Sequence, residues 1–254
     1  MTLADLAERL AAARSESRLA KLKPADAITS VEDAYGVQAE LVKRANNDVR
    51  GWKVTALASA DQKKYSSSRP VAGPLLGPYV HSAPATVLLS SLVAPLLESE
   101  VAFVLGADLP AQGSPYDRNQ IEAAISAVVP VFELADSRVG ANGSDLMKLA
   151  DAMGNGLFIV GRPIADWRKI DLTDVAVTLT RNGVPIEQGS SARILGNPLL
   201  AVTALANAQP LPHPGLKAGQ IITTGTCTTP VEVHPGKYAA HFGALGHVEM
   251  TVEA

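Results

Sequence analysis

Two glutamates, one residue apart, interrupt an otherwise apolar stretch from Leu96 to Leu105 that reads Leu-Leu-Glu-Ser-Glu-Val-Ala-Phe-Val-Leu. Its β-branched and aromatic residues predict a strand. Alternate side chains of a strand share a face, spaced by about 6.5–7 Å. Glu98 and Glu100 therefore lie on one face with Ala102 and Val104, and Leu97, Val101 and Phe103 take the other. Two carboxylates side by side in an apolar strand repel each other and lose hydration, at several kcal/mol per buried ion. If that face is solvated, nothing needs to offset the cost. If it is buried, a hard divalent cation such as Mg²⁺ or Mn²⁺ suits the oxygen ligands.

A third carboxylate, Glu133, falls in a second apolar run among Val129, Val131, Phe132 and Leu134. A buried glutamate is uncommon unless paired. A salt bridge, with Arg138 as a candidate partner, is one answer and a shared cation is another. Three strand carboxylates without a neighbouring histidine fit an open Mg²⁺ site that leaves positions for water or substrate. Lys53, in Gly-Trp-Lys-Val-Thr-Ala-Leu, also sits in a predicted strand. It is either an edge lysine in water or a cation near the metal that steadies an enolate or carries a proton.

The elements that must position these groups follow from periodicity. Leu3, Leu6, Ala7 and Leu10 recur at helical spacing over residues 3–15. A second helix follows Thr29, with Thr29 and Glu32 as a capping box and Val31, Ala34, Tyr35, Gln38, Leu41 and Val42 as its stripe. From Gly51 onward the texture changes to short β-branched runs between Gly/Pro turns, and Asn182-Gly183 marks a hairpin. Two helices interrupt the strands: one from Asp117 through Ile121 and Ile125, the other from Asn197-Pro198 through Leu199, Val202 and Leu205. Helices first and strands after predict an α+β fold with a mixed, curved sheet. The expected division is an N-terminal helical segment, 1–49, and a β-rich catalytic core, 50–254, packed as one compact unit.

Composition narrows the class. The chain has 254 residues, 47% of them hydrophobic, and a formal net charge of −3. It can bury a core, and it lacks the basic runs of a nucleic-acid binder. A single cysteine, Cys227, excludes an intrachain disulfide and a cysteine-based zinc site. The N-terminal residues carry acids and bases throughout, which predicts no signal peptide, no membrane span and a cytoplasmic protein. No Gly-rich loop follows a strand in the manner of a nucleotide site.

These segments resemble a known family. Gly51-Trp-Lys-Val54, Gly73-Pro-Leu-Leu76, the Glu98-Ser-Glu100 run to Pro110, Phe132-Glu-Leu-Ala-Asp-Ser-Arg138, Leu149 to Gly161, Leu195 to Asn207 and Lys217 to Thr226 occur in the order seen in the 2-keto-4-pentenoate hydratase / 4-oxalocrotonate decarboxylase family. That family belongs to the fumarylacetoacetate hydrolase superfamily. The resemblance runs over nearly the whole chain. It implies N-terminal helices plus a mixed, rolled β-sheet core, and a homo-oligomer acting on small 2-keto or 2-hydroxydienoate substrates of aromatic meta-cleavage catabolism. It implies Mg²⁺ or Mn²⁺ on Glu98, Glu100 and Glu133, Lys53 as the catalytic lysine, and Asp136 and Arg138 as braces for Glu133. Thr226, just past a predicted strand, matches a position that lines the substrate.

Three departures from the family pattern stand out. The usual G-L-T-S after the lysine is Thr55-Ala56-Leu57-Ala58, the usual P-D-x-G is Pro70-Val71-Ala72-Gly73, and the usual A-D-N-A is Ala150-Asp151-Ala152-Met153. The acids remain while pocket positions turn apolar, so Leu57, Ala58 and Val71 are expected to line a bulkier, more apolar substrate tail or an altered reaction. The expected activity is hydration of a 2-hydroxy-2,4-dienoate. The alternatives are the sister decarboxylation and a catalytically silent subunit that associates with a hydratase or decarboxylase partner. A C–C bond hydrolase would want a histidine–acid dyad, and none of His81, His213, His234, His241 and His247 lies near Lys53 in the sequence.

Overall fold

The structure is a computed structural model and describes residues 2–23, 26–55, 57–140, 143–209, 211–212 and 215–254. Ala56 and His213 fall outside the described residues.

Helix α1 (Leu3–Ser15) starts at Thr2, whose hydroxyl accepts from the Asp5 backbone N–H while the Asp5 carboxylate accepts from the Thr2 N–H. It buries Leu6, Ala7, Leu10 and Ala13. Helix α2 (Val31–Arg44) is capped by Ser30, which accepts from Asp33 N–H. The expected Thr29–Glu32 box is therefore displaced by one residue, because Ser30 supplies the same short hydroxyl at the actual boundary. The two helices are tied to the strands: Gln38 Nε2 donates to the carbonyls of Ala72 and Leu149 at 3.0 and 2.6 Å, and Tyr35 Oη accepts from Ala72 N–H. Buried leucines and valines on these faces contribute about 1.5–3 kcal/mol each.

Strands β1 (Val49–Thr55), β2 (Val71–Leu76) and β3 (Val80–Ser82) join β5 (Leu96–Leu105), β6 (Ile125–Ala135), β7 (Asn155–Val160), β10 (Ile221–Thr226) and β11 (Val231–Glu232) in an eight-stranded sheet. Its order is β2-β1-β10-β5-β6-β7-β3, with β11 also pairing β5. The β1–β10 and β3–β7 pairs are parallel and the others antiparallel. A second sheet holds β4 (Ala85–Leu88), β13 (His247–Glu253), β12 (Gly236–His241), β8 (Ala176–Arg181) and β9 (Val184–Ser190) in that order. Asn182 and Gly183, at φ 51 and 80, turn β8 into β9 as the sequence predicts.

Two elements depart from expectation near the site. Ile125 begins β6 instead of extending the preceding helix, α4 (Arg118–Ala124), because the β-branched run that follows it pairs directly with β5. Strand β2 carries Gly73 and Pro74 and gives no strand signal, yet it is tolerated because it is the outermost strand beside β1.

The eight-stranded sheet has two unlike faces. Leu97, Val101, Phe103, Val128, Phe132, Leu134, Trp52 and Ile222 enter the main core cluster. The opposite face holds a smaller cluster of Leu75, Ala102, Val129, Val131 and Phe158. The carboxylates stand on that second face, in register with Ala102 and Val131.

Candidate metal centre

Register brings the three acids together. Glu98 on β5 is the direct partner of Glu133 on β6, and Glu100, two residues on, shares their face. One carboxylate oxygen from each of Glu98, Glu100 and Glu133 lies within 4.8 Å of the others. Glu100 and Glu133 are fully buried, and the Glu98 side chain is 17% exposed.

Lys53 is not an edge residue, since β1 lies between β2 and β10. Its Nζ donates to Glu133 Oε1 at 2.6 Å and lies 3.8 Å from Glu98 Oε2. Two strands, β10 and β5, separate β1 from β6. In a flat sheet those strand axes would be about 14 Å apart, out of reach of a lysine. The sheet is therefore curled, and Lys53 reaches across its concave side.

The electrostatics follow from this packing. Burial alone would pull the Lys53 ammonium down, but Glu133, Glu98 and Glu100 outweigh it and hold the group protonated far above its ordinary range. Burial, then repulsion from Glu133 and Glu98, pushes the Glu100 carboxyl well up. Glu133 is also raised by burial, against the pull of Lys53. Gly225 N–H donates to Glu100 Oε2 at 3.0 Å, from a residue at φ 107 that suits glycine. Glu100 Oε1 and Glu133 Oε2 are buried with no hydrogen-bond partner among the described residues. Three carboxylates against one ammonium leave two negative charges unbalanced. Hard oxygen donors, orphaned lone pairs and that charge deficit fit a divalent cation.

A family model, fumarylacetoacetate hydrolase C-terminal, matches residues 55–253. The chain belongs to the fumarylacetoacetate hydrolase family. Among relatives in this family, it is 32% identical over 264 residues to the 2-keto-4-pentenoate hydratase of Burkholderia vietnamiensis (strain G4 / LMG 22486), covering 98% of this chain and 97% of that one. It is 33% identical to the 4-oxalocrotonate decarboxylase of Pseudomonas sp. (strain CF600), over 80% of this chain and 78% of the relative. The structure superposes on the 4-oxalocrotonate decarboxylase from Pseudomonas putida G7, complexed with magnesium and adipate, with a TM-score of 0.87 and 28% identity over 99% of this chain and 97% of that one.

Not every residue singled out from the fumarylacetoacetate hydrolase pattern sits where the sequence placed it. Asp136 and Arg138 do not bond to Glu133. Asp136 accepts from the backbone N–H groups of Val93 and Ala94, pinning the entry to β5. Arg138, 1% exposed, pairs with Asp151 through Nε at 3.0 Å and Nη2 at 2.8 Å. Its link to the centre runs through Asn155, which sequence reasoning missed. Arg138 Nη1 donates to the Asn155 carbonyl at 2.8 Å, as does Arg14 Nη2 at 2.5 Å, and Asn155 Nδ2 donates to Glu133 Oε1 at 3.4 Å. The available signal was the polar asparagine opening the apolar run Asn155–Val160.

Thr226 is the last residue of β10, opposite Glu100, and not beyond the strand. Val71 is buried, paired with Thr55, and packs in the main core cluster. Leu57 is half-buried and Ala58 exposed. Ala152 and Met153 take φ values of 50 and 61, a left-handed region where asparagine is enriched. Alanine in place of the family's asparagine thus leaves strain of about 1–2 kcal/mol per residue beside the site. The four described histidines, His81, His234, His241 and His247, are all exposed.

The Arg138–Asp151 pair yields a stability prediction. Asp151→Asn removes the charge that compensates a fully enclosed guanidinium and is expected to cost about 3 kcal/mol or more in urea unfolding. A loss under about 1 kcal/mol would show that the pair contributes no more than an exposed one.

Proposed function

We propose that this chain is a divalent-metal-dependent hydro-lyase that adds water to a 2-hydroxy-2,4-dienoate, giving a 4-hydroxy-2-oxo acid in aromatic meta-cleavage catabolism. The observation that carries the proposal is the trio Glu98, Glu100 and Glu133 with two orphaned buried oxygens, next to the Lys53 ammonium. In this reading the three glutamates hold Mg²⁺ or Mn²⁺, which supplies Lewis acidity toward the substrate's carboxylate and 2-oxygen.

The residues of the chain perform the rest. Lys53 Nζ, kept protonated by the acids around it, offers positive charge where the dienolate gathers its negative charge. Taking up a proton at the far end of the dienol gives the 2-oxo-3-ene. Water then adds with its oxygen at C4 and a hydrogen at C3, so the product equals substrate plus one water. Asn155, braced by Arg14 and Arg138, fixes Glu133 in place. Leu75, Ala102, Val129, Val131 and Phe158 make an apolar wall on the same face, which suits an uncharged substrate tail. A helical segment, 1–49, supporting a β-rich catalytic core, 50–254, and a cytoplasmic homo-oligomer belong to the same reading. Among the described residues no helix is long and apolar enough to cross a membrane.

The test is loss of dienol absorbance over a series of 2-hydroxy-2,4-dienoates of growing alkyl tail, with Mg²⁺ or Mn²⁺ added. Decay that requires the metal, with a 4-hydroxy-2-oxo acid as product, is the expected result. The likeness to decarboxylases in sequence and in fold supports the second reading. Release of CO₂ from 4-oxalocrotonate, with no hydration of any dienoate, would replace the first reading by it. Bound metal with no turnover of either substrate class would favour the silent-subunit alternative.

A further inference from the structure

Three threonines close β10, and their hydroxyls are employed differently. Thr224 Oγ1 donates to the Val101 carbonyl at 2.7 Å. Thr226 Oγ1 donates to the Thr228 carbonyl at 2.9 Å and accepts from Thr228 N–H at 3.3 Å. Thr223 is 0% exposed, and its Oγ1 has no hydrogen-bond partner among the described residues. The residue nominated from the sequence, Thr226, has its hydroxyl committed to a local turn; Thr223 does not.

Register fixes where Thr223 stands. It is the direct partner of Lys53 on β1 and of Ala102 on β5, and Ala102 is two residues from Glu100. Its side chain therefore shares the concave face with Lys53 and the three acids. A buried, unpaired hydroxyl is unfavourable, and valine would fill the same strand position without that cost. A threonine there has a structural drawback and no partner among the described residues to offset it.

The chemistry of the face indicates what the hydroxyl is for. The centre is rich in acceptors, with three carboxylates. An anionic 2-oxo acid brings more oxygen acceptors and needs donors. Lys53 Nζ already gives one of its three N–H donors to Glu133 Oε1 at 2.6 Å, and Asn155 Nδ2 one of its two to the same oxygen, so a further donor on this face is of use. We propose that Thr223 is a substrate-binding residue whose hydroxyl donates to an oxygen of the 2-oxo acid held at the centre. The proposal rests on reading the trio as a metal site for such acids, and it adds a contact that only the occupied site completes.

The experiment uses the full chain, with oxalate as a stable 2-oxo acid mimic. Oxalate binding is measured by calorimetry in saturating Mg²⁺, and thermal unfolding is measured without metal. Thr223→Val is expected to raise the metal-free melting temperature by about 2–4 °C, because an unpaired hydroxyl is gone. It is expected to leave Mg²⁺ affinity within about twofold, since no ligand is touched. Oxalate affinity is expected to fall about tenfold or more, and Thr223→Ser to restore it. Thr223→Ala, read for oxalate affinity alone, serves if the valine variant fails to fold.

Oxalate binding by Thr223→Val equal to that of the wild type overturns the assignment. So does a wild-type protein that binds Mg²⁺ but no oxalate, or a fall in stability and binding together that serine does not rescue. A wild type that binds oxalate yet hydrates no dienoate would remove the hydratase reading while leaving the Thr223 assignment to stand or fall on oxalate alone.

Discussion

Lys53→Met is expected to lower dienoate turnover by about a thousandfold, within the range for losing one group that stabilises developing charge. Methionine keeps most of the length and the apolar stem but removes the only cation that touches the acids among the described residues, as Nζ lies 2.6 Å from Glu133 and 3.8 Å from Glu98. The same change strands Glu133, which is fully buried, and should cost about 3–5 kcal/mol in the metal-free protein. Lys53 is raised in the folded state, so its stabilisation is complete below its ordinary value of 10.5 and lost only as pH climbs through the higher folded value. The lysine's own titration therefore adds no slope across neutral pH. Lys53→Arg separates the two effects. Its guanidinium restores the charge and most of the stability, but its larger planar fork cannot place a compact charge where the ammonium stood and should leave turnover low. Turnover of Lys53→Met within tenfold of wild type, measured on metal-saturated protein, would show that the ammonium serves only to neutralise the acids.

Glu100→Gln should produce effects of opposite sign on metal affinity and on stability. Removing one of the proposed ligands should weaken Mg²⁺ binding by more than the roughly 10–100-fold that outer hydrogen-bond partners account for. Without metal the variant should be more stable than wild type at neutral pH. The sign follows from burial and the repulsion of Glu133 and Glu98, which raise the Glu100 carboxyl well above 4.5. The folded metal-free protein then holds a proton that the unfolded chain releases. Its stability therefore declines as pH rises from the unfolded value through the folded one. Urea midpoints taken between about pH 5 and 8 should slope downward for metal-free wild type and flatten in Glu100→Gln. Metal binding to wild type should release protons over the same window, measurable by titration calorimetry in buffers of different ionisation enthalpy. Equal slopes for both proteins would mean that Glu100 is ionised throughout.

The expected stability gain in Glu100→Gln and in Thr223→Val has one cause. The concave face contains buried polar atoms without a partner among the described residues: Glu100 Oε1, Glu133 Oε2 and Thr223 Oγ1. Each costs stability in the metal-free protein and each suits a ligand, the usual exchange of stability for function at a site. The apolar wall beside them makes the exchange steeper, since Ala102, Val129 and Val131 are fully buried on that face and exclude the water that would otherwise pair with these atoms.

The sequence alone settled what local periodicity can settle. A period of two placed Glu98 and Glu100 on one face of β5, and a buried acid in an apolar run singled out Glu133. The order of motifs identified the family. Other features had no local signature. Glu98 faces Glu133 because of inter-strand register, and Lys53 reaches Glu133 because the sheet curls across β10 and β5. Arg138 was assigned to Glu133 for its nearness in sequence, yet Asp151, thirteen residues along, takes its guanidinium. The sequence nominated Thr226 for the substrate, but only the structure shows its hydroxyl in a local turn and that of Thr223 unpaired among the described residues. The division is physical: side-chain alternation depends on a residue's immediate neighbours, whereas register, curl and the choice among donors depend on packing between segments far apart in the chain, which no short window of sequence encodes.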